Sequence, residues 1–521
     1  MRGKVTTDGD DSDQRRLNEQ TGRLRNECRF KSDSWLRKKL MKNIFFIIFF
    51  TFTQLFLSAT NSQAIPSIQP LFHFEEIFSK DELSPQELIT AAIEFSEVDS
   101  SSPEGTEIFN KYLALEKIVT SQEFVNTTER ERASKILTLM YETTLSQYIE
   151  NQTKLTTMFQ NGTYNCVSSS ILYMALAKAF GLRVVPQKTP SHAFCSVYIN
   201  NEKIDVETTN PYGFNPGTKH ELESQHNQKK YAIIPKIKYQ NRTEISQKNL
   251  VSLIAANLYG AYLKKNNFTK AIPLALSRMN YLQTESEQIK NDARNDLDII
   301  FTNYTIVLEN KNQYETSLNF LQNCINTVGT TQKLTDTYSL SLYNAIVYEL
   351  NNKNITNSKN LFSTHKDNIF SEYQIKINEM IYIEELQKEL ENTTATQALE
   401  LLDNAENQIT FTQKQNINRI NSLKEFFWIE LINQESEKQN YIQAAKIAEN
   451  AISKMPNNQN LKRIKNQCLK NHGITIHNKI VPLVNSKNYS QAIKILEEGL
   501  KENPNSIEIK NDLNRLKKFA Y

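Results

Sequence analysis

Glycine is scarce, with 12 in a chain of 521 residues. All-β sandwiches and barrels spend glycine on their many tight turns, so this composition argues against them and for a mostly helical protein. Four of the twelve (Gly162, Gly181, Gly213 and Gly217) fall between residues 160 and 220, so the chain changes character there. Cysteine is also sparse. Cys28, Cys166, Cys195, Cys324 and Cys468 form no CxxC pair and keep no regular spacing. Neither a structural metal site nor a disulfide framework is expected. No glycine-rich phosphate loop and no calcium loop is visible, so no cofactor and no metal are expected either. An excess of one charge is missing as well. Residues 1–43 hold 12 Lys/Arg against 7 Asp/Glu, and the net charge of the whole chain is +3, which leaves the remainder slightly acidic. Nucleic acid is excluded as a partner on that ground.

What is present begins with a targeting segment. Lys38, Lys39 and Lys42 precede an apolar run from Ile44 to Leu57, followed by Ser62-Gln63-Ala64 and Pro66. A basic flank, a short apolar stretch and a small-x-small exit describe a secretory signal peptide. The run is shorter than the roughly 20 residues a bilayer span requires. We therefore expect residues 41–64 to be a signal peptide, with an uncleaved membrane anchor as the alternative, and the product to be secreted or periplasmic. Met41 is itself a sensible start, so residues 1–40 read as a disordered or mispredicted extension.

A chain this long exceeds one hydrophobic core. Residues 65–150 read as helices, with Leu137, Met140 and Leu145 on one helical face. From 151 to 240 the pattern becomes a helix followed by strands, with turn signals at Asn161-Gly162, Asn200-Asn201 and Asn210-Pro211. Residues 246–521 return to amphipathic helices. There Trp428-x2-Leu431 and Tyr441-x2-Ala444-x3-Ala448-x2-Ala451-x4-Pro456 have the spacing of one tetratricopeptide unit of about 34 residues. Tyr489-x2-Ala492-x3-Leu496-x2-Gly499-x4-Pro504 repeats its second half. Such pairs stack and present a groove to a peptide or protein partner.

The chemistry concentrates between 162 and 210. Asn165-Cys166-Val167-Ser168-Ser169-Ser170 opens a helix that Gly181 ends. Cys166 at the first turn would sit among unpaired N–H groups and at the positive end of the dipole. Such a site favours a thiolate and can hold an oxyanion. Taken alone, Cys166 reads first as a small buried core residue, the commonest fate of a free cysteine. Downstream, Ser191 to Ile199 alternates as a strand, Asn200-Asn201 turns it, and Glu202 to Thr208 alternates back. A two-residue turn sets Ile199 opposite Glu202, Ser196 opposite Asp205 and Phe194 opposite Glu207. His192, Phe194, Asp205 and Glu207 then share one face, and Glu207 is the diagonal neighbour of His192. Cys195 falls on the other, packed face. A lone histidine is usually structural, and the acidic residues would serve equally as the solvated face of a hairpin. Their joint occurrence favours a nucleophile, a general base and its orienting carboxylate.

This order resembles the transglutaminase-like superfamily of papain-type cysteine enzymes. Their pattern has a cysteine opening a helix, here YNCVSSSILYMALAKAFGL. A histidine opens a strand, here His192-Ala193-Phe194, and an acid follows on the next, here Glu207-Thr208-Thr209-Asn210 in place of Asp-Pro-Thr-Asn. The resemblance implies an α+β papain/transglutaminase-like domain over 65–240, followed by an all-α, tetratricopeptide-like domain over 246–521. It implies a Cys166–His192–Glu207 triad, with Asp205 as the alternative acid, acting on amide bonds of a protein or peptide by hydrolysis or acyl transfer. The alternative is a non-enzymatic helical-repeat scaffold carrying an inactive domain, which the Glu-for-Asp departure favours.

Overall fold

A computed structural model describes residues 65–518 apart from 73–76, 78, 217–230, 232–238 and 240. The extension, the apolar run with its cleavage site, Cys28 and Gly217 lie outside the described residues. No helix among the described residues is long and apolar enough to cross a membrane.

The order of elements is α1 (Pro85–Phe95), α2 (Pro103–Val119), α3 (Gln122–Val125), α4 (Glu129–Thr143), β1 (Gln147–Tyr148), α5 (Leu155–Asn161), β2 (Thr163–Tyr164) and α6 (Cys166–Ala179). Strands β3 (Arg183–Thr189), β4 (His192–Ile199), β5 (Glu202–Val206) and β6 (Thr243–Glu244) follow. Helices α7 (Gln247–Leu263), α8 (Phe268–Tyr281), α9 (Glu287–Glu309), α10 (Tyr314–Val328), α11 (Gln332–Asn351) and α12 (Ile355–His365) come next. The last are α13 (Ser371–Leu390), α14 (Ala395–Gln408), α15 (Lys414–Glu437), α16 (Tyr441–Lys454), α17 (Gln459–Asn485), α18 (Tyr489–Glu502) and α19 (Ile507–Lys517).

The chain divides into two compact units. One comprises Thr60–Ala345 with His365–Phe370; the described part of the other comprises Ile346–Thr364 and the chain from Ser371 onward. In the first, α6 is the organising element. Its residues Val167 to Ala177 are all buried. That stretch is apolar apart from Ser168, Ser169, Ser170 and Tyr173, whose hydroxyls bond within the protein, so it must be surrounded, and α1, α2, α4, α7, β3 and β4 all pack on it. The sheet is small and antiparallel, in the order β5-β4-β3-β6. Its β4–β5 register is the one the alternation predicts, with Ile199 opposite Glu202 and Ser196 opposite Asp205. Asn200 and Asn201 both take positive φ, as the tight hairpin turn requires. At the far end of α6, Gly181 at φ 86° lets the Leu182 N–H reach the Ala177 carbonyl at 3.0 Å and its own N–H reach Lys178 at 2.9 Å. These two bonds satisfy carbonyls that the helix end would otherwise leave bare.

The fold class requires correction. No α+β domain is followed by a separate all-α one; the described residues are overwhelmingly helical, and their strands amount to this small sheet and the two-residue β1–β2 pair. Strand β6 runs into α7 through Ser246, which caps that helix. Lys178 of α6 donates to Gln247 Oε1 at 2.7 Å, and Asn257 of α7 donates to Thr153 at 3.1 Å. Tyr262 and Lys154 meet on Glu97 at 2.5 and 2.6 Å. The physical reason is that four short strands cannot cover α6 by themselves. Helix α7, after residue 246, completes its enclosure, and residues 241–246 lie inside the first unit.

The second unit is a series of antiparallel helix pairs. Ala444, Ala448 and Ala451 of α16 are fully buried between α15 and α17 with Ile432, Leu461 and Ile464. Ala492, Leu496 and Gly499 of α18 play the same part between α17 and α19. A Cβ at Gly499 would lie 3.1 Å from Ile476 and 3.2 Å from Ile509, so the small residue sets how closely these helices approach.

Candidate active site

Cys166 is the first residue of α6, and the chain enters the helix through Asn165 in extended conformation. Asn165 Oδ1 accepts the N–H groups of Val167 and Ser168 at 3.0 and 3.2 Å, and Ser168 Oγ accepts the Asn165 N–H at 3.1 Å. Two of the first-turn N–H groups that the sequence leaves open for an oxyanion are therefore taken. The Cys166 N–H is the one this cap does not use. Cys166 is half-buried, whereas Cys195, Cys324 and Cys468 are buried. Cys195 donates to the Ser170 carbonyl at 3.5 Å, and burial holds its thiol far above the ordinary range.

His192 opens β4 and is 5% exposed. Its Nε2 lies 2.7 Å from Glu207 Oε2. Phe194 stacks on the ring at 6.0 Å and Tyr239 meets it edge-on at 6.1 Å. The Cys166 side chain lies beside the same ring. Burial disfavours the imidazolium, but the charges of Glu207 and Cys166 outweigh it and raise His192 from 6.5 to about 10. Glu207, 2% exposed, has the converse balance. Burial pushes its carboxyl up, and His192, Thr209 and Tyr239 together hold it below the usual value.

The turn after Glu207 is wired to α6. Glu207 Oε1 accepts the N–H and hydroxyl of Thr209 at 3.0 and 2.6 Å, and Oε2 accepts the Tyr239 hydroxyl at 2.6 Å. The Thr208 hydroxyl lies 2.9 Å from those of both Ser169 and Ser170, which explains the serine run behind Cys166. Tyr141 donates to the Thr208 carbonyl at 2.9 Å, and Tyr164 to that of Thr209 at 3.3 Å. Gly213 closes the turn, with the Glu207 N–H on its carbonyl at 2.8 Å. A Cβ there would stand 1.9 Å from the Glu207 carbonyl oxygen. Gly213→Ala is accordingly expected to displace the Glu207 backbone and destabilise the first unit by about 1–3 kcal/mol. Chemical denaturation of the variant, followed by exchange protection of α6, checks this; wild-type protection would show that the turn accommodates the methyl group.

The four predicted residues are thus not equivalent. Cys166, His192 and Glu207 come together, while Asp205 pairs with Arg242 and accepts Ser196 Oγ at 2.8 Å, opposite a position four residues along β4 from the histidine. The reading from sequence passed over Asn165, although its position beside Cys166 is a helix-cap signal. It also passed over Tyr239, which lies 32 residues from Glu207 and carries no local signal. Among the described residues no cluster of His, Cys, Asp and Glu suits a metal ion.

No protein-family model matches the chain, and no curated protein is similar to it. Among solved structures, it is similar to the crystal structure of menin that reveals the binding site for Mixed Lineage Leukemia (MLL) protein. The identity is 13%, covering 76% of this chain and 96% of that one, at a TM-score of 0.31. A superposition of that quality assigns neither fold nor function.

Proposed function

We propose that the protein is a cysteine enzyme that opens amide bonds of a protein or peptide through Cys166, His192 and Glu207. The observation that carries the reading is a buried imidazole held between a half-exposed thiol and an enclosed carboxylate. In this mechanism the proton given up by Cys166 rests on His192, and the thiolate attacks the amide carbonyl. The tetrahedral intermediate collapses as the C–N bond breaks and His192 protonates the departing amine, leaving a thioester on Cys166. His192 then takes a proton from water or from an acceptor amine, which attacks the thioester and releases the acid or a new amide. Glu207 holds the ring and balances its positive charge throughout. The helix pairs of the second unit suit the binding of a protein partner, and the sequence of residues 41–64 supports export.

The test is alkylation by iodoacetamide, followed by mass spectrometry of each cysteine in wild type and His192→Gln. Glutamine can still donate to Glu207, so the variant keeps the buried carboxylate paired. Cys166 is expected to react faster than the three buried cysteines, and the variant to react on the order of 10²-fold more slowly. A Cys166 rate indifferent to His192→Gln, in a variant that melts like wild type, would remove the enzymatic reading and leave the helical scaffold.

A further inference from the structure

Among the described tyrosines around the site, three have their hydroxyls engaged. Tyr141 and Tyr164 lie 3.0 Å from each other and donate to the turn after Glu207, and Tyr239 donates to Glu207 itself. Tyr148 differs from these three: its hydroxyl bonds no other described residue. It is held in place by backbone rather than by its hydroxyl. Strands β1 and β2 pair in parallel with Tyr148 opposite Tyr164, two residues before Cys166, and the Ile149 N–H continues the ladder to the Tyr164 carbonyl at 2.8 Å. The ring packs edge-on against Tyr164 at 5.9 Å and 77°. Burial first, and then the nearby Cys166 and the charges of Glu150 and Glu207, keep the phenol above its ordinary range, so it remains an O–H donor.

Acyl transfer to a thiolate creates an oxyanion, which needs two converging donors placed beforehand. The cap by Asn165 occupies two of the first-turn N–H groups and leaves that of Cys166. We propose that the Tyr148 hydroxyl is the second donor, and that it forms with the Cys166 N–H the pair that binds the oxyanion of the tetrahedral intermediate. This assignment rests on the proposed thiol chemistry and extends it. It makes Tyr148 a catalytic residue that touches the reacting oxygen. The energy it supplies appears when the carbonyl becomes tetrahedral and not before.

Two probes separate this role from others. p-Nitrophenyl acetate acetylates a thiolate through an oxyanion, expelling p-nitrophenolate as the C–O bond breaks. Iodoacetamide alkylates the same sulfur by displacing iodide, with no oxyanion formed. Tyr148→Phe keeps the ring and its packing on Tyr164. The variant is expected to acetylate on the order of 10²–10³-fold more slowly while its alkylation stays within about twofold of wild type. Equal acetylation in variant and wild type overturns the assignment. A parallel fall in both reactions also overturns it, because the hydroxyl would then act on the sulfur. Wild-type Cys166 that alkylates in a His192-dependent way yet never acetylates refutes the oxyanion site alone. Alkylation indifferent to His192 refutes the underlying thiol chemistry.

Discussion

Glu207→Gln is expected to slow acetylation of Cys166 by on the order of 10³–10⁴-fold without unfolding the protein. Glu207 accepts from Thr209 twice on one oxygen and from Tyr239 and His192 on the other. A glutamine amide oxygen can keep the Thr209 bonds, which turns its NH₂ toward His192 and Tyr239. A ring nitrogen facing an NH₂ must accept, so the neutral ring carries its proton on the nitrogen that Cys166 needs as a base. Glu207 also holds His192 protonated up to about 10. Its loss should move the alkaline limb of the rate–pH profile down toward the ordinary histidine range. Asp205→Asn is the control, because Asp205 is committed to Arg242 and Ser196, and it should leave rate and profile near wild type. A Glu207→Gln rate within about tenfold of wild type, against the 10²–10⁴-fold typical of general acid–base groups, would show that the carboxylate does not orient the base.

The second large effect is on stability. His192→Ala removes the cation from an enclosed carboxylate, a change that typically costs about 3–5 kcal/mol. The double variant with Glu207→Gln should recover much of that loss, since no buried charge is then left alone. The pH dependence has a definite sign. His192 is raised in the folded state, so its contribution is complete below its unfolded value of 6.5 and is lost as pH rises through about 10. Glu207 is lowered, so its contribution is present above 4.5 and is lost as pH falls through its folded value. The pair is strongest between about 4.5 and 6.5 and weakens on both sides. With two units in one chain, a single melting temperature mixes their transitions. Amide exchange in α6 and β4 at pH 5.5, 8 and 10 reads the relevant unit directly. Protection in wild type should fall from the first pH to the last, beyond the intrinsic rise in exchange, and His192→Ala should abolish most of that dependence. Equal loss in both proteins would assign the effect to other groups.

Several features of the site follow from neighbours in sequence and are legible there. The start of α6 at Cys166 and its end before Gly181 come from helical spacing and a glycine free to take positive φ. The β4–β5 register comes from period-two alternation and the Asn200-Asn201 turn, and it places Glu207 nearer to His192 than Asp205. Tyr239 and Tyr148 are different. Their places depend on segments that meet only in three dimensions, and in a chain with 22 tyrosines nothing local marks them. The role of the serine run is not legible locally, because its partner, Thr208, lies nearly forty residues on.

The amino-acid sequence by itself determined the local conformations, the cysteine–histidine–acid order and the helix pairs with their alanine seams, because each depends on spacings of a few residues. It also placed apolar residues at helical spacing along α6. What would bury it was decided only by the tertiary structure. Helix α7 closes over α6, with Lys178 donating to Gln247, and also holds the segment before α5 through Asn257–Thr153; it joins the sheet in one unit. An apolar surface specifies that it must leave water; it does not specify its partner. That choice rests on the summed fit of many elements distant in sequence.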